Sequence, residues 1–143
     1  MICEGSFPVK QEENKVSYNV LIVDDSETVR AIIAKTMEIA EVPIKEVFQA
    51  ENGKVALDIL KADWIDLVFT DINMPVMGGV ELINIMKEDN MLSSVPVVVV
   101  STEGSKTRMD ELLDLGVRSY IRKPFTPEKL KDIIESVLGE QDE

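Results

Sequence analysis

Histidine is missing from this chain of 143 residues. Its absence removes the commonest general base and metal ligand, and excludes a phosphohistidine carried by the chain itself. Cysteine occurs once, at Cys3, so no internal disulfide framework can form, and a reducing compartment fits. Basic residues are few: 15 Lys and Arg stand against 27 Asp and Glu, for a formal net charge of −12. Such a surface repels nucleic acid and anionic lipid, which argues against direct DNA binding through phosphate neutralisation. It favours cations and basic partner surfaces. No stretch approaches the ~18 apolar residues of a transmembrane helix. The amino terminus lacks the basic and apolar regions of a signal peptide. The expected location is the cytoplasm, with neither membrane nor nucleic acid as a direct partner.

What is present is enough apolar material, 45% of residues, for one core, and a length that fits one domain. Residues 1–17 are mixed in character, Phe7-Pro8-Val9 followed by a charged run to Lys15, and read as an extension ahead of a domain spanning 18–143. From Tyr18 onward, strand and helix patterns alternate, which indicates βαβ units around a parallel sheet, an α/β fold. Strands are expected at Asn19–Val23, Glu46–Ala50, Leu67–Thr70, Val97–Val100 and Ser119–Ile121. The first, third and fourth are near-continuous apolar runs, as central strands covered on both faces require. The second is mixed and suits an edge.

Apolar residues at helical spacing follow each strand: Val29, Ile32, Ile33 and Met37; Val55, Ala56, Ile59 and Leu60; Leu82, Ile85 and Met86; Met109, Leu112 and Leu113; then Leu130, Ile133, Ile134, Val137 and Leu138. Asn52-Gly53 and Gly78-Gly79 precede the second and third helices, Gly116 follows the fourth, and Thr126-Pro127 opens the fifth. The last helix is expected to end near Leu138-Gly139, leaving four residues and no output domain.

The chemistry gathers where these strands stop. Asp24 and Asp25 follow the first, Asp71 the third, Ser101 and Thr102 the fourth, and Lys123 the fifth. Parallel neighbours would bring all of them to one edge, where open α/β sheets bind ligands. Two like charges about 4 Å apart repel by about 4 kcal/mol at an effective dielectric of about 20. Three carboxylates therefore call for a raised pKa or a cation, and Mg2+ is the natural one, since it takes one or two carboxylates and bridges to phosphate. A carboxylate beside such a cation can attack a phosphoryl group and form an acyl phosphate. Asp71 is the best candidate nucleophile. Lys123 could pair with a phosphoryl oxygen, and Ser101, ahead of Thr102, could donate to another.

Val23-Asp24-Asp25-Ser26, Thr70-Asp71-Ile72-Asn73-Met74-Pro75, Ser101-Thr102 and Lys123-Pro124-Phe125 together resemble the receiver domain of bacterial response regulators, from about Tyr18 to Leu138. The resemblance implies a doubly wound five-stranded parallel sheet in the order 2-1-3-4-5, flavodoxin-like and CheY-like. It implies Asp71 as phosphoacceptor, Asp25 and Asp71 as direct Mg2+ ligands, Asp24 as a partner acting largely through water, and the backbone carbonyl of Asn73 as a further ligand. It makes Ser101 the switch hydroxyl, Tyr120 the aromatic that swings with it, and the Lys123–Pro124 bond cis. Asn73 and Glu103 stand where the family tunes attack of water on the acyl phosphate. The implied partners are a sensor histidine kinase and a downstream protein target reading the face of helix four, strand five and helix five. A monomer is expected, closest to the chemotaxis type.

Three other readings stay open on the residues. A phosphohydrolase with an aspartyl nucleophile would carry its two acids two residues apart on one strand and need a cap. A receiver-like module that is not phosphorylated would have lost an aspartate or the lysine. A flavin binder would need a phosphate cradle where Asp24-Asp25-Ser26-Glu27 stands. The single Trp64 is expected at the edge of the sheet opposite the site.

Overall fold

A computed structural model describes residues 17–102 and 105–142. Cys3, Glu103 and all of the expected extension but Ser17 lie outside them. The described chain alternates β1 (Tyr18–Val23), α1 (Glu27–Ile39), β2 (Ile44–Ala50), α2 (Gly53–Ala62), β3 (Leu67–Thr70), α3 (Gly79–Glu88), β4 (Val97–Ser101), α4 (Lys106–Asp114), β5 (Ser119–Arg122) and α5 (Pro127–Asp142). All strands pair in parallel, in the order β2-β1-β3-β4-β5. The apolar runs do take the centre: β3 and β4 are buried at every residue, and β1 from Val20 onward. The mixed strand β2 is at the edge.

Side chains alternate across the sheet with period two. Leu21, Val23, Val68, Val97 and Val99 face one way and pack with Ala56, Leu60, Leu82, Met86 and Leu112 of α2, α3 and α4. Val20, Ile22, Leu67, Phe69, Val98 and Val100 face the other and meet Ile33 and Met37 of α1 and Leu130, Ile134 and Val137 of α5. Two cores thus sandwich one sheet, each buried Leu, Ile or Phe contributing about 1.5–3 kcal/mol. Ser26, Asn52 and Ser105 cap α1, α2 and α4 by accepting main-chain N–H groups. Gly116, at φ 101°, ends the α4 turn in a conformation that favours glycine. Among the described residues no helix is long and apolar enough to cross a membrane.

Expectations change in detail: the last helix runs to Asp142 rather than ending near Leu138-Gly139, and β2 begins at Ile44 rather than Glu46. Ser101 is the last residue of β4, not the first beyond it, because it still pairs with Arg122 of β5. Ile32 and Leu113 are 53% and 47% exposed. Each has a neighbour on the same helix, Ile33 or Leu112, that takes the position against the sheet, so the buried stripe is narrower than the apolar spacing.

Candidate functional site

Strand pairing decides which polar groups meet. Val23 of β1 lies opposite Thr70 of β3, so Asp24 and Asp71 leave the sheet at the same level. The Asp71 N–H donates to the Val23 carbonyl at 3.0 Å. On the other flank, the Lys123 N–H donates to the Ser101 carbonyl at 2.9 Å, fixing the exit of β5 against that of β4. The Lys123–Pro124 peptide is cis.

Asp24, Asp25 and Asp71 each place a carboxylate oxygen within 4.8 Å of the others. Their environments differ. Asp24 is 3% exposed; its Oδ1 accepts the Ser26 N–H at 2.9 Å and its Oδ2 accepts Lys123 Nζ at 3.1 Å. Asp25 is exposed. Asp71 is half-buried, its Oδ1 accepting the N–H of Ile72 at 2.7 Å and its Oδ2 standing 3.8 Å from Lys123 Nζ. One ammonium therefore serves two of three carboxylates. Burial is the main cause that pushes the Asp71 carboxyl above its ordinary value; the Ile72 N–H and Lys123 oppose it, and the charges of Asp24 and Asp25 add to it. A net-negative nest of hard oxygen donors suits a small divalent cation.

The other expected residues differ in place and burial. Ser101 is buried at the end of β4, the neighbour of β3. Asn73 and Thr102 are exposed. Tyr120 is half-buried on β5, paired with Val99, and packs on the core shared with α4. Glu103 falls outside the described residues. Trp64 is 73% exposed just before β3, at the amino end of the sheet and so opposite the site.

Three supports escape a reading of the sequence. Gly79 marks a helix start, but its more demanding task is steric: a Cβ there would collide with the Asp71 carbonyl oxygen. Only glycine allows α3 to close on the main chain of Asp71, and the Gly79 N–H donates to the Ile72 carbonyl at 2.8 Å. Val76, on the same loop, is held at φ 69°, a left-handed conformation costly for a β-branched side chain. Arg30 of α1 donates from Nη1 to the Asp24 carbonyl at 2.6 Å and from Nε to Gln49 Oε1 at 3.0 Å. A Gly-Gly pair at a loop carried a weak signal for the first; nothing in the pattern marked the other two.

Residues 20–135 match the family described as response regulator receiver domain. The chain is 40% identical over 124 residues to the chemotaxis protein CheY1 of Helicobacter pylori, covering 86% of this chain and 98% of that one. It is 35% identical over 119 residues to the chemotaxis protein CheY of Pseudomonas aeruginosa, covering 83% and 94%. Among solved structures, CheY4 of Vibrio cholerae superposes with a TM-score of 0.76 at 30% identity, over 85% of this chain and 99% of that one. The CheX-CheY-BeF3-Mg2+ complex of Borrelia burgdorferi gives 0.77 at 28%, over 89% and 93%.

Proposed function

This chain belongs to the response regulator receiver family, and on that premise we propose that it is a phosphorylation-dependent switch of the chemotaxis type with Asp71 as acceptor. The observation that carries the reading is the carboxylate cluster at the ends of β1 and β3, with Lys123 reaching Asp24 and Asp71 together. Asp71 Oδ1 is occupied by the Ile72 N–H, which leaves Oδ2, the oxygen facing Lys123, to attack. A bond forms between Oδ2 and phosphorus while the bond from phosphorus to the imidazole nitrogen of a kinase histidine breaks. The imidazole leaves with the electron pair, and Asp71 becomes an acyl phosphate.

Asp24, Asp25, Asp71 and the backbone carbonyl of Asn73 would hold Mg2+, which supplies charge neutralisation between the carboxylates and the phosphoryl oxygens. Lys123 already points into the cluster and shifts from carboxylate to phosphoryl oxygen as the new charge arrives. Ser101 donates to a second phosphoryl oxygen. Because Ser101 ends β4 and Lys123 directly follows β5, their movement repacks Tyr120 and the face of α4, β5 and α5, where a downstream protein reads the phosphorylated state. Asn73, exposed at the rim, and Glu103 tune the attack of water that resets the switch. The chemotaxis assignment leans on the named relatives.

Intact mass after incubation with acetyl phosphate tests this directly. A single phosphoryl adduct that requires Mg2+ and disappears in Asp71→Ala is expected. No adduct on the wild type, or one that survives in the variant, would remove Asp71 from its role.

A further inference from the structure

We propose that Arg30 is a positioning residue for the cation site: by holding the carbonyl of Asp24, it sets the direction in which Asp25 presents its carboxylate. The inference rests on the receiver reading above and concerns how the chain builds the site. Asp24 is tied down at every polar group. Its N–H donates to the Ala50 carbonyl of β2 at 3.0 Å, its carboxylate oxygens take the Ser26 N–H and Lys123 Nζ, and its carbonyl takes Arg30 Nη1 at 2.6 Å. Asp25, the next residue, is exposed, and among the described residues its carboxylate has no hydrogen bond or ion pair. Its aim depends on the peptide from which it hangs. The Asp24 carbonyl that Arg30 holds belongs to that peptide.

The guanidinium is itself fixed at two points. Nε donates to Gln49 Oε1 at 3.0 Å, and Gln49 sits on β2 opposite Ile22 of β1. The fork thus spans α1, β2 and the β1–α1 turn. Lysine cannot reproduce this, because an ammonium on a flexible stem lacks the rigid pair of donors. Both acceptors of Arg30 are neutral, so its charge as such would repel a cation entering the cluster. Position and charge therefore act on cation binding with opposite signs, and substitutions can separate them.

The experiment is a calorimetric Mg2+ titration of the wild type, Arg30→Lys, Arg30→Gln and Gln49→Leu, with folding checked by circular dichroism. Arg30→Lys keeps the charge and should weaken Mg2+ binding about tenfold, the usual loss when a group that orients a metal ligand is removed. Arg30→Gln should weaken it too, despite losing a repelling charge. Gln49→Leu, at an exposed position of β2, leaves Arg30 intact and should act in the same direction by less. In acetyl phosphate assays the loss should appear in the Mg2+ concentration giving half-maximal rate and vanish at saturating Mg2+. An unchanged affinity in Arg30→Lys, a tighter one in Arg30→Gln, or a rate loss that saturating Mg2+ does not restore would each overturn the inference. A wild type that takes up neither Mg2+ nor a phosphoryl group would overturn it along with the receiver reading; intact Mg2+ binding by Arg30→Lys beside a functional wild type would overturn the inference alone.

Discussion

Two aspartates bracket the four residues of β3, and their fates are opposite. Asp66, just before the strand, has both oxygens satisfied by neutral donors: Oδ2 accepts the Asn19 N–H at 2.8 Å and Oδ1 accepts the Trp64 indole N–H at 2.9 Å. It pegs β1 to β3. Asp71, just after the strand, lies beside two more carboxylates with a shared ammonium 3.8 Å away. Around Asp66 the chain relaxes, with an exposed indole beside a cavity of about 180 Å3 lined by Leu60, Ile65 and Leu92. Around Asp71 it is compressed, with Gly79 against the carbonyl and Val76 left-handed. One end of the strand spends its polar groups on holding the fold. The other gathers its carboxylates into one acidic cluster around a single ammonium.

The most severe way to break the contrast is to remove each acid in turn. Asp71→Ala should abolish the phosphoryl adduct seen by intact mass, whereas Asp66→Ala should keep it. Asp66→Ala should instead lower unfolding stability by about 1–3 kcal/mol in urea, because the Asn19 N–H loses its acceptor. Next in size, Gly79→Ala should cost about 1–3 kcal/mol from overpacking and slow phosphorylation, since the new Cβ displaces the main chain of Asp71.

Charge sharpens the comparison further. A raised carboxyl pKa means that the folded state holds the Asp71 proton more tightly than the unfolded chain does. Stability from this group is then full below the ordinary value of 3.8 and is lost as pH rises through the folded pKa. In Mg2+-free buffer Asp71→Asn should therefore raise the melting temperature at neutral pH, and the gain should fade as the solution is acidified below that value. Asp66→Asn should do the reverse at neutral pH and lower it. A melting temperature reduced by Asp71→Asn would contradict the picture of an acid held at a cost. The smallest effect is optical: Trp64 fluorescence should barely respond to Mg2+, and a large quench would place the indole or the cation wrongly.

Much of this molecule was legible before any coordinates. The apolar runs of β1, β3 and β4 announced central strands, the mixed β2 an edge, and the cap at Thr126 stands at a helix start. The positions of Asp24, Asp25, Asp71, Ser101 and Lys123 at strand ends followed from that, with the resemblance to receivers supplying the order of strands. Less visible was which of Ile32 and Ile33, or Leu112 and Leu113, would be buried, because adjacent apolar residues on a helix compete for one stripe.

Periods of two and 3.6 residues are properties of the local backbone, so strands, helices and the list of polar groups at their ends could be determined from the sequence alone. How those groups divide their partners could not. Asp24 takes Lys123 from 99 residues away and Asp66 takes the Asn19 N–H from 47 away. The Arg30 clamp, the close approach of Gly79 and the exposure of Asp25 likewise depend on which segments the packed sheet brings within about 3 Å. Three aspartates that look alike in the chain become a buried anchor, an exposed acid and a half-buried acid whose carboxyl is pushed above its ordinary value only once the tertiary structure has assigned the one ammonium among them.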